Sequence, residues 1–143
     1  MSNFRKLTEN IMVNQQLTLS DVAAAAGLGV ALIINNRPDG EDPDAPQGDD
    51  IAAAAAAAGL NYAAIPIGHS GFSEPQIDAM IAALEQAEGP ILAYCRSGTR
   101  STFLWALAEA KQGGDPATIA RTAAQAGYDV SPIRAMTDML AAR

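Results

Sequence analysis

The sequence predicts an α/β domain built on a mainly parallel sheet of about four to five strands flanked by helices. Short, β-branched apolar runs alternate along the chain with longer helical patterns, which implies parallel strands joined by crossovers. The 143 residues, 49% apolar and 17% charged, match one compact domain able to bury a core without disulfides or metals. No linker or functional repeat interrupts them, so residues 1–143 are read as one domain.

Ile11 to Val13 suggests a short edge strand. Ser20 is positioned to cap a helix over Asp21 to Ala26, ended by Gly27. Val30 to Ile34 is a continuous β-branched run, hence a buried strand, and Asn35 to Asp50, rich in Pro, Gly and Asp, a long loop. The alanine run Ile51 to Ala58 predicts a packed helix stopped at Gly59. Tyr62 to Ile67 follows as a second buried strand, with a turn over Gly68 to Phe72. Ser73 and Gln76 form a capping-box signature with Pro75 in the first turn, and Ile77, Met80, Ile81 and Leu84 mark one helical face. Pro90 to Tyr94 is a third buried strand, and a helix is expected over Thr102 to Lys111, closed by Gly113-Gly114. Asp115-Pro116 opens another helix to Ala126, and Ser131-Pro132 a last one to Ala142.

Formal net charge is −7, which disfavours nucleic acid and anionic membranes as partners. The single cysteine, Cys95, excludes an internal disulfide, and with the single histidine, His69, cannot assemble a usual structural zinc site. No metal and no cofactor are therefore expected. No apolar run has the length of a membrane span, and Met1 to Val13 lacks the apolar core of a signal peptide. A cytoplasmic, reducing home with Cys95 as a free thiol is expected.

The third strand feeds Cys95-Arg96-Ser97-Gly98-Thr99-Arg100-Ser101, and a helix follows. Ligands collect at the carboxyl ends of strands in open α/β sheets, and loop and helix N–H groups there form an anion cradle. Gly98 permits a tight turn. The same field, with Arg96 and Arg100 close by, is expected to favour the thiolate of Cys95, the attacking species of covalent cysteine chemistry. Arg100 offers a rigid fork of donors to an oxyanion, and Ser101 is placed to hydrogen-bond the sulfur. The bland alternative, a small buried cysteine at a strand end, leaves the two arginines and Gly98 without a use.

Tyr94-Cys95-Arg96-Ser97-Gly98-Thr99-Arg100-Ser101 resembles the active loop of single-domain rhodaneses, which carry sulfur as a cysteine persulfide. It also resembles the cysteine-dependent phosphatases, whose loop has five residues between cysteine and arginine. Here four separate Cys95 from Arg100, the rhodanese-type spacing. Gln15 or Gln16, Asn36-Arg37-Pro38-Asp39-Gly40-Glu41, Ile65-Pro66-Ile67 and Gly89-Pro90 resemble the phosphatase-like domain of the bacterial beta-lactamase-hydrolase-like proteins over nearly the whole chain. That resemblance implies a dual-specificity-phosphatase-like fold with a shortened, rhodanese-like loop.

In the resembling fold an aspartate some thirty residues before the cysteine protonates the leaving oxygen. Here that stretch is Gly68-His69-Ser70-Gly71-Phe72, without aspartate. His69 either donates the proton or is an ordinary loop histidine. A sulfite or thiolate leaving group needs far less protonation than an alkoxide, so the expected activity is sulfur transfer. A small anionic donor, thiosulfate or a persulfide, would pass sulfur through Cys95 to a thiol acceptor. A phosphatase acting on phosphoesters through a Cys95 phosphoenzyme is the alternative, and a non-catalytic anion- or partner-binding module the second. Cys95 and Arg100 are the expected catalytic pair, with Arg96, Ser97, Gly98, Thr99 and Ser101 holding the anion. Arg37 either extends that site, with Asp39 orienting Arg37 or Arg100, or forms a Pro-centred turn with a surface ion pair. Gln15 and Gln16 are candidate supports for the loop. Trp105, with Leu104 and Leu107, is read as helix core. Glu41 to Asp50 is read as a solvated loop, with a lid as the second option.

Overall fold

In the computed structural model, which describes residues 4–68 and 70–143, five strands form one sheet in the order β1-β2-β5-β3-β4. They are β1 (Arg5–Lys6), β2 (Ile11–Asn14), β3 (Leu32–Asn35), β4 (Asn61–Ala64) and β5 (Ile91–Tyr94). Only β1 runs antiparallel to its neighbour. The six helices are α1 (Leu19–Gly27), α2 (Gly48–Ala57), α3 (Glu74–Gln86), α4 (Thr99–Lys111), α5 (Pro116–Gln125) and α6 (Arg134–Ala141), with a 3-10 turn over Ser131–Ile133 before the last.

Period-two alternation sorts the central strands onto two faces. Leu92 and Tyr94 of β5 and Ile33 of β3 pack with Val22 and Ala25 of α1 and Ile51 and Ala55 of α2. Ile91 and Ala93, with Ile11, Val13, Leu32 and Ile34, face the larger core supplied by α3 to α6, where Leu104, Trp105 and Leu107 are buried. Trp105 is thus core, as its helical spacing implies. None of the described helices is long and apolar enough to cross a membrane.

Several boundaries differ from the sequence reading, each for a physical reason. Thr18, not Ser20, caps α1, because its hydroxyl accepts from Asp21 N while its own N–H donates to the Asp21 carboxylate. At α2 only half of that reciprocal pair forms, the Gln47 N–H donating to the Asp50 carboxylate at 3.0 Å, and the helix starts at Gly48, which shortens the preceding loop. β2 is not an edge strand, because Arg5–Lys6 pairs outside it. Two exposed basic residues carry no hydrophobic period from which a strand could be read. β4, expected buried, is the opposite edge, with Asn61 and Ala64 exposed. It ends before Pro66, which has no N–H to continue a ladder. Ile65 and Ile67 nonetheless remain bonded to Asn35 O and Asn36 O.

The chain passes from β2 to β3 and β4, then returns to insert β5 between β2 and β3. The carboxyl ends of β2, β3 and β5 therefore meet at the switch point of the sheet, where ligands bind in open α/β folds.

Candidate active site

Cys95 follows directly on the buried β5 and is itself fully buried. Its N–H donates to Asn14 O at 3.4 Å, and Arg96 O accepts from Gln16 N–H at 3.3 Å, which ties the loop to the end of β2. Gly98 turns the chain at φ 88° and is the N-cap of α4. The helix consequently begins at Thr99, three residues earlier than its apolar pattern suggests, and Arg100 and Ser101 lie in its first turn. That turn points the Gly98 N–H at the Cys95 sulfur, 3.1 Å away. Thr102 locks it from behind by donating both N–H and hydroxyl to Gly98 O.

Arg100 is held by three acceptor contacts. Nη1 donates to Ile67 O at 2.8 Å and to Glu41 Oε2 at 3.0 Å, and Nη2 to Glu41 Oε1 at 2.8 Å. The guanidinium pKa is raised, first by the Glu41 hydrogen bond and also by the Cys95 sulfur beside it. Glu41 binds the buried Arg37 as well, whose Nε donates to Oε1 at 2.8 Å, while Arg37 Nη1 donates to Gln16 Oε1 at 2.9 Å. The chain Gln16–Arg37–Glu41–Arg100 thus links the ends of β2, β3 and β5. A depression of about 330 Å³ lies at its Glu41–Arg100 end, lined by Glu41, Gly68, Arg96 and Arg100. Arg96 is exposed there, and among the described residues its side chain has no ion pair or hydrogen bond.

The structure brings Cys95, Arg96, Gly98, Arg100 and Arg37 to one sheet edge, with three departures from expectation. Asp39 orients neither arginine: its carboxylate accepts from Gly48 N–H at 2.8 Å and fixes the start of α2. Glu41 takes the orienting position; its side chain is only 21% exposed, so this part of the acidic stretch is not a solvated loop. Ser101 gives its proton to Asn36 Oδ1 at 2.8 Å rather than to the sulfur, and Asn36 Nδ2 donates to Ile65 O. Ser97 and Thr99 hydroxyls bond each other at 3.0 Å. His69 lies outside the described residues. Gln16 supports the loop as expected, whereas the Gln15 side chain makes no such bond among the described residues.

Glu41 is held at a pKa of about 2 against its ordinary 4.5, foremost by the Arg100 hydrogen bond and then by Arg37, against the opposing effect of burial. A carboxyl whose folded pKa is depressed contributes stability that is complete above its unfolded value and is lost as pH falls through the folded one. Glu41→Gln is therefore expected to flatten the loss of stability between pH 4.5 and about 2. Denaturant midpoints of wild type and variant across that window check it, and parallel curves would show that the two arginines do not favour the ionised form.

A thiol at the end of a central strand, a left-handed glycine turn and a helix-borne arginine define a domain of the cysteine-dependent-phosphatase-like fold. The chain belongs to the family described as beta-lactamase hydrolase-like protein, phosphatase-like domain, whose model matches residues 3–112. A beta-lactamase hydrolase-like protein of Agrobacterium fabrum is 36% identical over 108 residues, covering 76% of this chain and 25% of that relative. The chain thus spans about a quarter of the length of the curated relatives it matches. A Neisseria meningitidis protein described as a candidate phosphatase has 32% identity and a TM-score of 0.86, over 98% of this chain and 99% of its own. Tk-PTP in its active form shares the fold at a TM-score of 0.78 and 13% identity, over 98% and 97% of the two chains.

Two features of the site were missed by sequence reasoning. Glu41 carried one local signal, its spacing of four from Arg37, masked by the acidic residues after it. Asn36, the bridge between the first turn of α4 and Ile65, stood at a strand end inside the stretch Asn36 to Glu41 that carries the family resemblance, with nothing to name its partners.

Proposed function

We propose that this domain is a transferase that carries sulfane sulfur as a persulfide on Cys95. The observation supporting it most directly is the state of Glu41. The carboxyl that reaches the pocket is clamped as an anion by two arginines, so it has no proton to give a leaving group. Sulfur transfer needs none. The Cys95 thiolate attacks the sulfane sulfur of thiosulfate, an S–S bond forms, and sulfite departs with the electron pair of the broken bond. An acceptor thiolate then attacks the outer sulfur, forms its own persulfide and returns Cys95 as thiolate. The Gly98 N–H, Arg96 and Arg100 would hold the anionic donor.

The phosphatase names of the family and of the similar structures favour the second reading, a cysteine phosphatase, which here would work through a Cys95 phosphoenzyme. Fold and family describe a scaffold on which different chemistries are built, so the leaving group decides between the two. With Glu41 ionised and no other carboxyl lining the depression among the described residues, phosphate transfer is confined to esters of acidic alcohols such as aryl phosphates, or to proton donation by His69.

Intact-mass measurement after incubation with thiosulfate, and separately with a glutathione persulfide, tests the proposal. Wild type is expected to gain one sulfur atom, lost on adding a small thiol, and Cys95→Ser to gain none. No gain on wild type, or an equal gain on the variant, would sink sulfur transfer. Turnover of phosphotyrosine peptides that disappears in Cys95→Ser would put the phosphatase in its place.

A further inference from the structure

The peptide unit joining Ser97 to Gly98 makes a hydrogen bond at each end. Its N–H donates to the Cys95 sulfur at 3.1 Å, and its carbonyl accepts from the Tyr128 hydroxyl at 3.1 Å. In a trans peptide these groups point in opposite directions, so Tyr128 grips the far side of the plane whose near side faces the thiol. We propose that Tyr128 is a positioning residue for the nucleophile, acting through the Ser97–Gly98 peptide to keep a donor aimed at the Cys95 sulfur.

Tyr128 comes from the connection between α5 and α6, beyond the residues that the family model matches. Its ring is pinned from outside by the Arg5 guanidinium, 5.3 Å from the ring centroid, which itself donates to Ala126 O at 2.9 Å. The contact leaves no slack, since a Cβ on Gly98 would overlap the Tyr128 hydroxyl. Two effects follow. A hydrogen bond to a peptide carbonyl polarises the unit and strengthens its N–H as a donor. It also blocks rotation of that plane, which would present the carbonyl oxygen to the sulfur and repel a thiolate.

The phenol stays protonated and able to donate. Its pKa is raised, chiefly by burial, with Arg5 opposing and the charge of Cys95 adding to the rise. The charged and titratable groups around Cys95 among the described residues include Arg96 of its own loop, Arg100 from α4, with Glu41 behind it, and Tyr128, with Arg5 behind it.

This role depends on Cys95 being the nucleophile and not on its cargo, so it is tested without substrate. The pH titration of ultraviolet thiolate absorbance, taken as a difference against Cys95→Ser, reads the sulfur directly. Tyr128→Phe keeps the ring and removes the hydroxyl. Its thiolate midpoint is expected to rise by about half a unit, roughly a threefold smaller thiolate fraction below the midpoint. Its melting temperature is expected to stay close to that of wild type. An unshifted midpoint in a folded variant would overturn the proposal. A second measurement needs no variant: the ¹³C shift of Tyr128 Cζ in the unmodified protein should inflect at the midpoint of the Cys95 thiolate titration. A flat Cζ profile through that midpoint would also overturn it.

Discussion

Replacing Arg100 with lysine is expected to lower kcat/KM for thiosulfate by about a hundred- to a thousandfold, the usual cost of removing one preorganised donor set from a developing charge. Arg100 is a planar fork. One edge is fastened by Glu41 and Ile67 O, and the same guanidinium feels the charge of Cys95. A lysine keeps the charge but has neither the planar fork nor a second donor edge. Its ammonium can satisfy Glu41 or face the sulfur, not both. Under the proposed sulfur transfer the loss should fall on kcat as well as KM, because the same group would meet the donor anion and the charge leaving with sulfite. Steady-state kinetics with thiosulfate and a thiol acceptor would measure it. A change below about threefold would remove Arg100 from the machinery.

Gly98→Ala is expected to destabilise the domain by about 2 kcal/mol and to lower the rate of persulfide formation at neutral pH at least tenfold. The backbone at Gly98 sits at φ 88°, where a Cβ is strained before any neighbour is considered. The new methyl would also strike the Tyr128 hydroxyl. Relief of either problem moves the peptide whose N–H meets the sulfur, so fold and reactivity fail together. Adding Tyr128→Phe removes the clash with the hydroxyl and leaves the backbone strain. The double variant should therefore recover part of the stability lost by Gly98→Ala. Denaturant unfolding of all four proteins closes that cycle, and simple additivity would mean that the clash is relaxed elsewhere at no cost.

The parts legible in the sequence are those in which one local signal fixes one local structure. Cys95 after four apolar strand residues, and Gly98 three positions on, announced a strand, a turn and a helix, and the fold and family followed. Helix starts slipped by a few residues where caps are reciprocal bonds, as at Thr18 with Asp21, because several polar residues compete for one role. Longer-range partners were not legible. Glu41 and Arg100 are 59 positions apart, and Ser101 and Asn36 are 65 apart. No periodicity connects such residues; only the return of β5 between β2 and β3 brings them together. The expected role of Ser101 failed for the same reason, since the topology supplies Asn36 as its partner, whereas Asp39 is taken by a local one, the Gly48 N–H nine residues on. The preference for sulfur over phosphate came from the four-residue loop spacing and the missing aspartate near His69, whereas the relatives in the solved structures carry phosphatase names.

The pairing of Glu41 with Arg100 also sets how the resting site meets the many anions of a cell. A bare guanidinium at the mouth of a cleft collects chloride, inorganic phosphate and free carboxylates indiscriminately. Here the outer edge of that cation already carries its own counter-ion. Arrival of a donor at that edge is then an exchange of one anion for another rather than a neutralisation. Exchange favours a ligand whose shape and orientation suit the cradle over one that merely brings more charge. It also makes occupancy depend less steeply on ionic strength. An intramolecular carboxylate of this kind acts as a standing competitor, at fixed effective concentration, for any anion that reaches that edge of the guanidinium.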